Sequence, residues 1–357
     1  MSNQRKQPEL KPLLAERLKL LMPNEKDFTA FLEILKQPTQ NSIRCNTLKI
    51  TPNELIKRLD SKGWKIEQPF SQYPEIMIIK GKFANNNDNI NNGVSSFNNH
   101  INKRANGVSE PNIIDLEPGE LGRSLEHLLG YYYVQEIASM LPVLTLKPKP
   151  NELVLDLAAA PGSKTTQIAS EMQNTGTIIA NDVNIGRISI LATNLERCGV
   201  SNTIVTRKQG FDLCRKLNQQ GFLFDKILLD APCSGEGTLR SSRATYEMWN
   251  IKSVNNLSNI QKSLIASCID LLKLNGELVY STCTHSPEEN EEVIDFALEK
   301  FGNKIKVETI KLPVKCRIGL TEWNNKEYNK SVEKACRIYP QDNDTEGFFV
   351  AKLRRIR

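Results

Sequence analysis

The chain has 357 residues, enough for one large domain and a smaller one, and its 39% apolar and 25% charged residues are usual for a folded globular protein. No apolar run is long enough to span a bilayer and residues 1–7 contain no apolar signal segment, so we expect a soluble, cytoplasmic protein. The net charge of +6 fits a polyanionic partner such as a nucleic acid but does not require one.

The N-terminal third is predicted to contain a helical segment followed by a small α+β module. Apolar residues recur near helical spacing over residues 8–37, and Pro23 marks a break in that pattern. A helical pattern at 52–62 is flanked by short apolar strand patterns. We therefore predict a helical segment at 1–40 and an α+β domain at 41–130. The strands of that domain are expected at 42–48, 64–66 and 76–79.

Residues 84–108 differ in composition from the rest of the chain. They are polar and rich in asparagine, and they show neither helical nor strand periodicity. Such segments bury too little apolar surface to order themselves, so we predict a loosely ordered surface insertion. A functional arm is the alternative.

From residue 131 to the C-terminus, strand and helix patterns alternate. Short apolar strands that alternate with helices of ten or more residues predict an α/β domain at 131–357 with a mostly parallel sheet covered on both faces. Ligands of such sheets bind outside the carboxyl ends of the strands. Strands are expected at 152–157, 177–182, 203–207, 224–230, 276–282, 306–310 and 347–353, and helices at 163–173, 185–199, 257–273 and 287–301.

A strand, a turn of small residues and a helix start at residues 153–166 predict a ligand site. Small residues let the backbone approach a ligand closely, and the free N–H groups of a helix start favour an anionic group. Asp182, at the end of the next strand, can accept both hydroxyls of a ribose. An NTP-binding loop is disfavoured because Ser163 separates Gly162 from Lys164 and the earlier glycine is absent, and a dinucleotide-binding fold is disfavoured because no G-x-G-x-x-G is present. A close-packed turn without a ligand is the plain alternative.

The eight cysteines are scattered, with no CxxC pair, and only three histidines are present, so we predict neither a disulfide framework nor a metal site. Two of the cysteines come at the ends of predicted strands: Cys233 in the segment 230–237 and Cys283 in the segment 276–284. A thiol is a weak nucleophile until its environment lowers its pKa or a base assists it, and strand ends beside helix N-termini are places where this can happen. The others are expected to be reduced core or surface residues: Cys45, Cys198, Cys214, Cys268, Cys316 and Cys336.

Several motifs follow one another along the chain. They are RCNTL at 44–48, YVQEIAS at 133–139, DLAAAPGSKT at 156–165, DAPCSG at 230–235, STCT at 281–284 followed by PEENE at 287–291, RIYP at 337–340 and GFF at 347–349. These motifs and their order resemble those of the Nop/Sun family of RNA cytosine-5 methyltransferases. The resemblance covers residues 42–80 and 120–357 and implies a Rossmann-like methyltransferase fold with a mostly parallel seven-stranded sheet, beside a smaller RNA-recognition-like domain. It also implies S-adenosylmethionine as cofactor and RNA as partner.

The resemblance also implies roles for individual residues. Cys283 is the expected nucleophile and Cys233 the residue that assists release, whereas DNA cytosine-5 methyltransferases use the cysteine of the Pro-Cys motif. Asp230 is expected to contact the cytosine edge close to the methyl donor. Gln209 stands where the family usually has an acidic residue near the adenine, and its carbonyl can still accept from an adenine amine. The expected cofactor residues are Ala158, Ala159, Ala160, Pro161, Gly162, Ser163, Lys164, Asp182, Arg187, Gln209 and Asp230.

The sequence leaves the substrate open. Transfer RNA is our leading prediction and ribosomal RNA the second, while a catalytically silent RNA-binding assembly factor is the alternative from another class. Asp230, Cys233 and Cys283 together disfavour that factor, since a binder needs neither thiol. Arg240 and Arg243 are expected to meet substrate near the site. Phosphate contacts are predicted for Lys49, Lys57, Arg58, Lys62 and Lys65.

Overall fold

The computed structural model describes residues 9–84 and 113–357, so most of the asparagine-rich insertion predicted at 84–108 lies outside the described residues. The described chain forms two compact units. The large unit comprises the residues up to Gln40 together with Gln135–Arg357, and the small unit comprises Asn41–Val134. Within the described ranges, no helix has the length and apolar character needed to cross a membrane.

The described ranges form α-helices and strands that are numbered in chain order. The helices are α1 (Pro12–Leu21), α2 (Glu25–Leu35), α3 (Pro52–Asp60), α4 (Glu120–Arg123), α5 (Leu125–Leu128), α6 (Ile137–Leu146), α7 (Ser163–Glu171), α8 (Ile185–Cys198), α9 (Gly210–Gln219), α10 (Arg243–Met248), α11 (Ile251–Asp270), α12 (Glu291–Phe301) and α13 (Pro340–Asn343). The strands are β1 (Ser42–Cys45), β2 (Trp64–Glu67), β3 (Ile76–Phe83), β4 (Ile113–Ile114), β5 (Tyr132–Val134), β6 (Leu153–Asp156), β7 (Thr177–Asp182), β8 (Thr203–Arg207), β9 (Phe224–Asp230), β10 (Leu272–Thr282), β11 (Ile305–Glu308), β12 (Arg317–Ile318), β13 (Glu322–Trp323), β14 (Lys326–Glu327), β15 (Cys336–Ile338) and β16 (Phe348–Arg355). Short 3-10 helices occupy Glu236–Thr238, Pro287–Glu289, Gly302–Lys304 and Lys330–Lys334.

The small unit is an antiparallel sheet with one amphipathic helix. Its strands run in the order β2-β3-β1-β5, and β4 pairs with β3. Helix α3 begins with a capping box in which Thr51 and Glu54 exchange hydrogen bonds, and it buries Leu55 and Leu59. These two leucines pack with Trp64 and with residues of the sheet. The predicted strand at 42–48 ends early, at Cys45, because a turn follows it.

The large unit is a nine-stranded sheet in the order β12-β15-β16-β10-β9-β6-β7-β8, with β11 paired to β16. The five strands β10, β9, β6, β7 and β8 are parallel, and β16 is antiparallel to β10. All seven strands predicted for this domain are present, but the sheet has nine strands rather than the expected seven. Two further strands, β12 and β15, extend the sheet beyond β16. They have two and three residues, too few to produce a periodic pattern.

Capping residues explain where several helices of the large unit begin and end. Helix α8 begins after Asn184, whose side chain accepts from the Arg187 N–H, and it ends at Gly199, which has a φ of 72°. Helix α11 begins at Ile251, earlier than the predicted residue 257, because Asn250 caps it. Helix α12 begins at Glu291 rather than at 287, since a 3-10 helix occupies the first residues. Helices α6, α9, α10 and α13 were not predicted.

The two N-terminal helices α1 and α2 are part of the large unit. Leu14, Leu18 and Phe31 are fully buried and pack in one apolar cluster with Trp249 and Tyr339.

The C-terminal part contains one feature that contradicts the sequence prediction of reduced thiols, a disulfide between Cys316 and Cys336. The antiparallel pairing of β12 with β15 brings these distant residues together, and no local pattern in the sequence reports it. The remaining cysteines are free thiols: Cys45, Cys198, Cys214, Cys233, Cys268 and Cys283.

Candidate active site

A cavity of about 640 Å³ lies at the carboxyl ends of the parallel strands of the large unit. Its position is the one that the strand order favours, because the loops after these strands meet at one edge of the sheet. Of the predicted site residues, eight line this cavity: Ala158, Ala160, Asp182, Arg187, Gln209, Asp230, Cys233 and Cys283. The other five do not line it: Ala159, Pro161, Gly162, Ser163 and Lys164.

The turn after β6 is shaped by its backbone hydrogen bonds and by one glycine. The Ala159 N–H donates to the Asn181 carbonyl at 2.7 Å, and the Gly162 N–H donates to the Ala159 carbonyl at 2.8 Å. Gly162 has a φ of +104°, a conformation that other residues rarely adopt, and a Cβ there would lie 3.0 Å from Leu191 Cδ1, so glycine is favoured. Ala158 and Ala160 line the cavity, whereas Ala159 does not.

Asp182 stands at the end of β7 and is held in place from two sides. Its Oδ1 accepts from the Asn184 N–H at 3.0 Å, and its Oδ2 lies 3.3 Å from Arg187 Nη1. Arg187 also donates to the Ala160 carbonyl, which connects the ends of β6 and β7. The arrangement fixes a carboxylate at the cavity wall, where it can accept hydrogen bonds from a ligand.

Asp230, at the end of β9, is the best-oriented carboxyl group of the cavity. Lys164 Nζ lies 2.8 Å from its Oδ2, and the Ser281 hydroxyl donates to its Oδ1 at 2.7 Å. Lys164 also donates to the Ser139 hydroxyl at 2.8 Å, so its ammonium group is directed at Asp230 rather than into the cavity. These two contacts hold the Asp230 carboxyl group in one orientation.

The two cysteines predicted as catalytic are neighbours in space. Their Sγ atoms are 3.3 Å apart although 50 residues separate them in the chain. The pKa of the Cys233 thiol is raised well above its ordinary value by its hydrogen bond to Cys283 and by burial. The Cys233 thiol is therefore harder to deprotonate than an ordinary thiol, and the two sulfur atoms lie within hydrogen-bonding distance of each other.

Two glycines allow the chain segments around Cys283 to approach closely. The Gly237 N–H donates to the Cys283 carbonyl at 2.8 Å, and the Gly347 N–H donates to the Gly237 carbonyl at 2.9 Å. A Cβ on Gly237 would overlap the Gly347 carbonyl and lie 2.9 Å from the Cys283 carbonyl oxygen. Only glycine fits at this position, because both obstacles are backbone atoms.

Several residues in or beside the cavity wall escaped the sequence analysis. Ser281, the partner of Asp230, lies two residues before Cys283, and the period of two in a strand was a signal that could have placed both on one face. The remainder carried no chemical signal. It comprises Asn181 and Val183 after β7, Lys208 and Phe211 after β8, and Asn259, Ile260, Ser263 and Leu264 on α11.

The expectation that Arg240 meets substrate is wrong. Its side chain is buried and donates to the carbonyls of Gln37 at 3.0 Å and Pro38 at 2.6 Å, and it pairs with Asp344 at 2.5 Å. The carbonyl groups that surround the guanidinium group come from segments far from Arg240 in the sequence, so the sequence could not predict these contacts. Arg243 is exposed and pairs with Glu247 at 3.0 Å.

Of the basic residues predicted to contact phosphate, three already have partners inside the small unit. Lys62 pairs with Glu126, Lys49 donates to the Leu129 carbonyl at 3.0 Å, and the Arg58 guanidinium lies 5.3 Å from the centre of the Tyr131 ring. Phosphate contacts by the five basic residues remain a prediction.

Comparison with known proteins identifies the family. Residues 143–354 match the family model described as 16S rRNA methyltransferase RsmB/F. A tRNA (cytosine(49)-C(5))-methyltransferase from Pyrococcus abyssi is 48% identical over 236 residues, which are 66% of this chain and 74% of that protein. Ribosomal RNA small subunit methyltransferase F from Vibrio atlanticus is 36% identical over 94% of this chain, which spans only 62% of the length of that relative.

Solved structures agree over nearly the whole chain. A methyltransferase homolog protein from Pyrococcus horikoshii, 31% identical, matches 97% of this chain and 100% of its own with a TM-score of 0.74. NSun6 from Pyrococcus horikoshii with SFG, 27% identical, matches 97% of this chain and 98% of its own with a TM-score of 0.75. The family model matches more than half of the chain, and the protein therefore belongs to the RsmB/F family, the Nop/Sun group of RNA methyltransferases that its motifs resemble.

Proposed function

We propose that the protein transfers a methyl group from S-adenosylmethionine to C5 of a cytosine in RNA, with Cys283 as the nucleophile. The observation that carries the proposal is the pair of thiols 3.3 Å apart in the same cavity as Asp230. Family membership and the named activity of the 48% identical relative support the reaction class.

The residues of the cavity fit S-adenosylmethionine. Asp182 can accept the two hydroxyls of a ribose, Gln209 can accept from an adenine amine, and the small Ala158 and Ala160 leave room beside the backbone. Apolar side chains form a surface for a base: Phe211, Ile260 and Leu264. The bound cofactor supplies the electrophilic methyl group.

Cys283 is the better nucleophile of the two thiols because of the hydrogen bond between them. We assign the attacking thiolate to Cys283, since the pKa of Cys233 is raised and the Cys233 thiol can donate a hydrogen bond to Cys283 Sγ. The thiolate forms a bond from Sγ to C6 of the cytosine, and the electron pair of the C5–C6 double bond becomes available at C5. Lys164 and Ser281 orient Asp230, whose carboxyl group contacts the cytosine edge. In its acid form this group donates its proton to N3 as negative charge develops there, which leaves the electron pair at C5.

Breakdown of the adduct uses Cys233. The C5 proton passes to water, the C5–C6 double bond forms again, and the C6–Sγ bond breaks with its electron pair returning to Cys283 Sγ. The Cys233 thiol, 3.3 Å away, donates a hydrogen bond to the departing sulfur and so favours its release. Two thiols with different tasks distinguish this scheme from a reaction that uses a single cysteine.

Transfer RNA is our proposed substrate, with ribosomal RNA second. The 48% identical relative is named for tRNA, and the relatives named for small-subunit rRNA are 34–36% identical. The target base must leave any stack to reach the cavity, so we expect a flipped or loop nucleotide.

The test combines methyl-transfer assays with bisulfite sequencing. Purified protein is incubated with labelled methyl donor and either tRNA or rRNA transcripts, and the methylated cytosine is located by bisulfite sequencing. Cys283→Ala should abolish transfer, and Cys233→Ala should leave a protein–RNA adduct on a denaturing gel. Full activity of Cys283→Ala contradicts its role as nucleophile. Binding of RNA without any methyl transfer by the wild type would favour the silent assembly factor instead.

A further inference from the structure

The loop that carries Cys233 is held by a buried carboxyl group that the proposed chemistry does not use. Glu289, in the 3-10 helix after β10, is fully buried. Its Oε2 accepts from the Ser234 N–H at 3.0 Å and from Gln261 Nε2 at 2.8 Å. The same Gln261 amide donates to the Pro232 carbonyl at 2.8 Å. Glu289 and Gln261 therefore fix the peptide groups on both sides of Cys233.

Glu289 is itself attached to the strand that leads to Cys283. The Tyr280 hydroxyl donates to the Glu289 carbonyl at 2.5 Å, and Tyr280 lies in β10 and is fully buried. A chain of hydrogen bonds thus runs from the strand before Cys283, through Glu289, to the loop of Cys233. This connection links the two chain segments that carry the sulfur atoms.

The two hydrogen bonds that Glu289 Oε2 accepts can form whether the carboxyl group is charged or neutral. Burial raises the pKa of Glu289 to about 7, and its Oε1 has no hydrogen-bond partner among the described residues. A neutral carboxyl group that carries its proton on Oε1 still accepts both hydrogen bonds at Oε2. An amide oxygen in the same place accepts them as well, so the acceptor rather than the charge is the useful feature.

We infer that Glu289, together with Gln261, is a positioning residue that sets Cys233 within reach of Cys283 for the release step, an inference that rests on the proposed function. Cys283 is held by its own strand and by the Gly237 N–H, so attack on cytosine continues when Glu289 is lost. Release slows, because a misplacement of about 1 Å can cost on the order of 100-fold in rate.

The experiment compares Glu289→Ala and Glu289→Gln with a matched control, Glu292→Gln. Glu292 belongs to the same acidic run but pairs with Lys262 at 2.7 Å and Lys326 at 3.2 Å, away from the Cys233 loop. Each variant is assayed for kcat and KM with RNA and for protein–RNA adduct on a denaturing gel, and circular dichroism verifies folding. We expect Glu289→Ala to lower kcat by roughly 10- to 100-fold with kcat/KM little changed, because only the step after attack is slowed, and to accumulate adduct. Glu289→Gln and Glu292→Gln should turn over within about threefold of wild type, a difference of under 1 kcal/mol.

Two outcomes with the Glu289 variants overturn the inference. A folded Glu289→Ala that turns over like wild type without adduct shows that the carboxyl group does not position Cys233. A Glu289→Gln as impaired as Glu289→Ala shows that charge, not the acceptor, matters. If Glu289→Ala does not fold, Gln261→Met replaces it; adduct accumulation is again expected, and its absence overturns the inference. Failure of the proposed function is seen separately, as absence of methyl transfer by the wild type and of adduct in Cys233→Ala.

Discussion

The buried ion pair between Arg337 and Glu291 offers a direct test of how the end of β10 is held. Arg337 Nε and Nη2 each lie 2.6 Å from a different Glu291 oxygen, and the two side chains are 2% and 0% exposed. Arg337 Nη1 also donates to the His285 carbonyl at 3.0 Å. His285 is two residues after Cys283, so this pair supports the segment that follows the proposed nucleophile.

Arg337→Met removes the cation and leaves the Glu291 carboxylate buried without its partner. Breaking such a pair typically costs about 3–5 kcal/mol in free energy of unfolding, because the remaining charge is neither solvated nor neutralised. Glu291→Gln should cost a similar amount for the same reason. The double variant removes both charges, so we expect it to cost about 2–3 kcal/mol less than the sum of the two single variants.

The measurement is urea denaturation of the wild type, the two single variants and the double variant, followed by tryptophan fluorescence and circular dichroism. Free energies of unfolding from the four proteins form a double-mutant cycle. A coupling energy below about 0.5 kcal/mol would refute the reasoning, because the two charges would then be shown to be independently solvated.

Two further predictions concern stability. Burial raises the pKa of Asp156 from an ordinary 3.8 to about 7. The Asp156 carboxyl group therefore binds its proton more tightly in the folded state than in the unfolded state. The resulting stabilisation is fully present below about pH 4 and is lost as the pH rises through 7. Relative to Asp156→Asn, the wild type should therefore lose up to ~4 kcal/mol between pH 4 and pH 7 in urea denaturation, and a constant difference would contradict this. The Cys316–Cys336 disulfide closes a separation of 20 residues, so Cys316→Ala/Cys336→Ala should lower the free energy of unfolding by ~3 kcal/mol; an unchanged urea midpoint would argue against the bond.

Local patterns in the sequence were sufficient for the central elements of the large unit. Apolar runs such as residues 227–229 predicted the strands, and the seven predicted strands lie in one sheet. Small residues at the turn after β6 and the thiols after β9 and β10 pointed to the cavity, because the carboxyl ends of parallel strands meet at one edge. The elements that escaped were short or mixed in composition, such as β12 and α9, where tertiary packing outweighs propensity.

Only the tertiary structure decided how the predicted residues are used. Cys233 and Cys283 are 50 residues apart in the chain, and their contact exists because β9 and β10 are neighbours in the sheet. The tertiary structure also decided the role of Arg240. We expected this residue to meet substrate, but its side chain is buried and donates hydrogen bonds to backbone carbonyls. The hydrogen bond between Glu289 and the Cys233 loop could not be predicted from the sequence either. Periodicity reports which face of an element is apolar, whereas hydrogen-bond partners depend on which elements pack together.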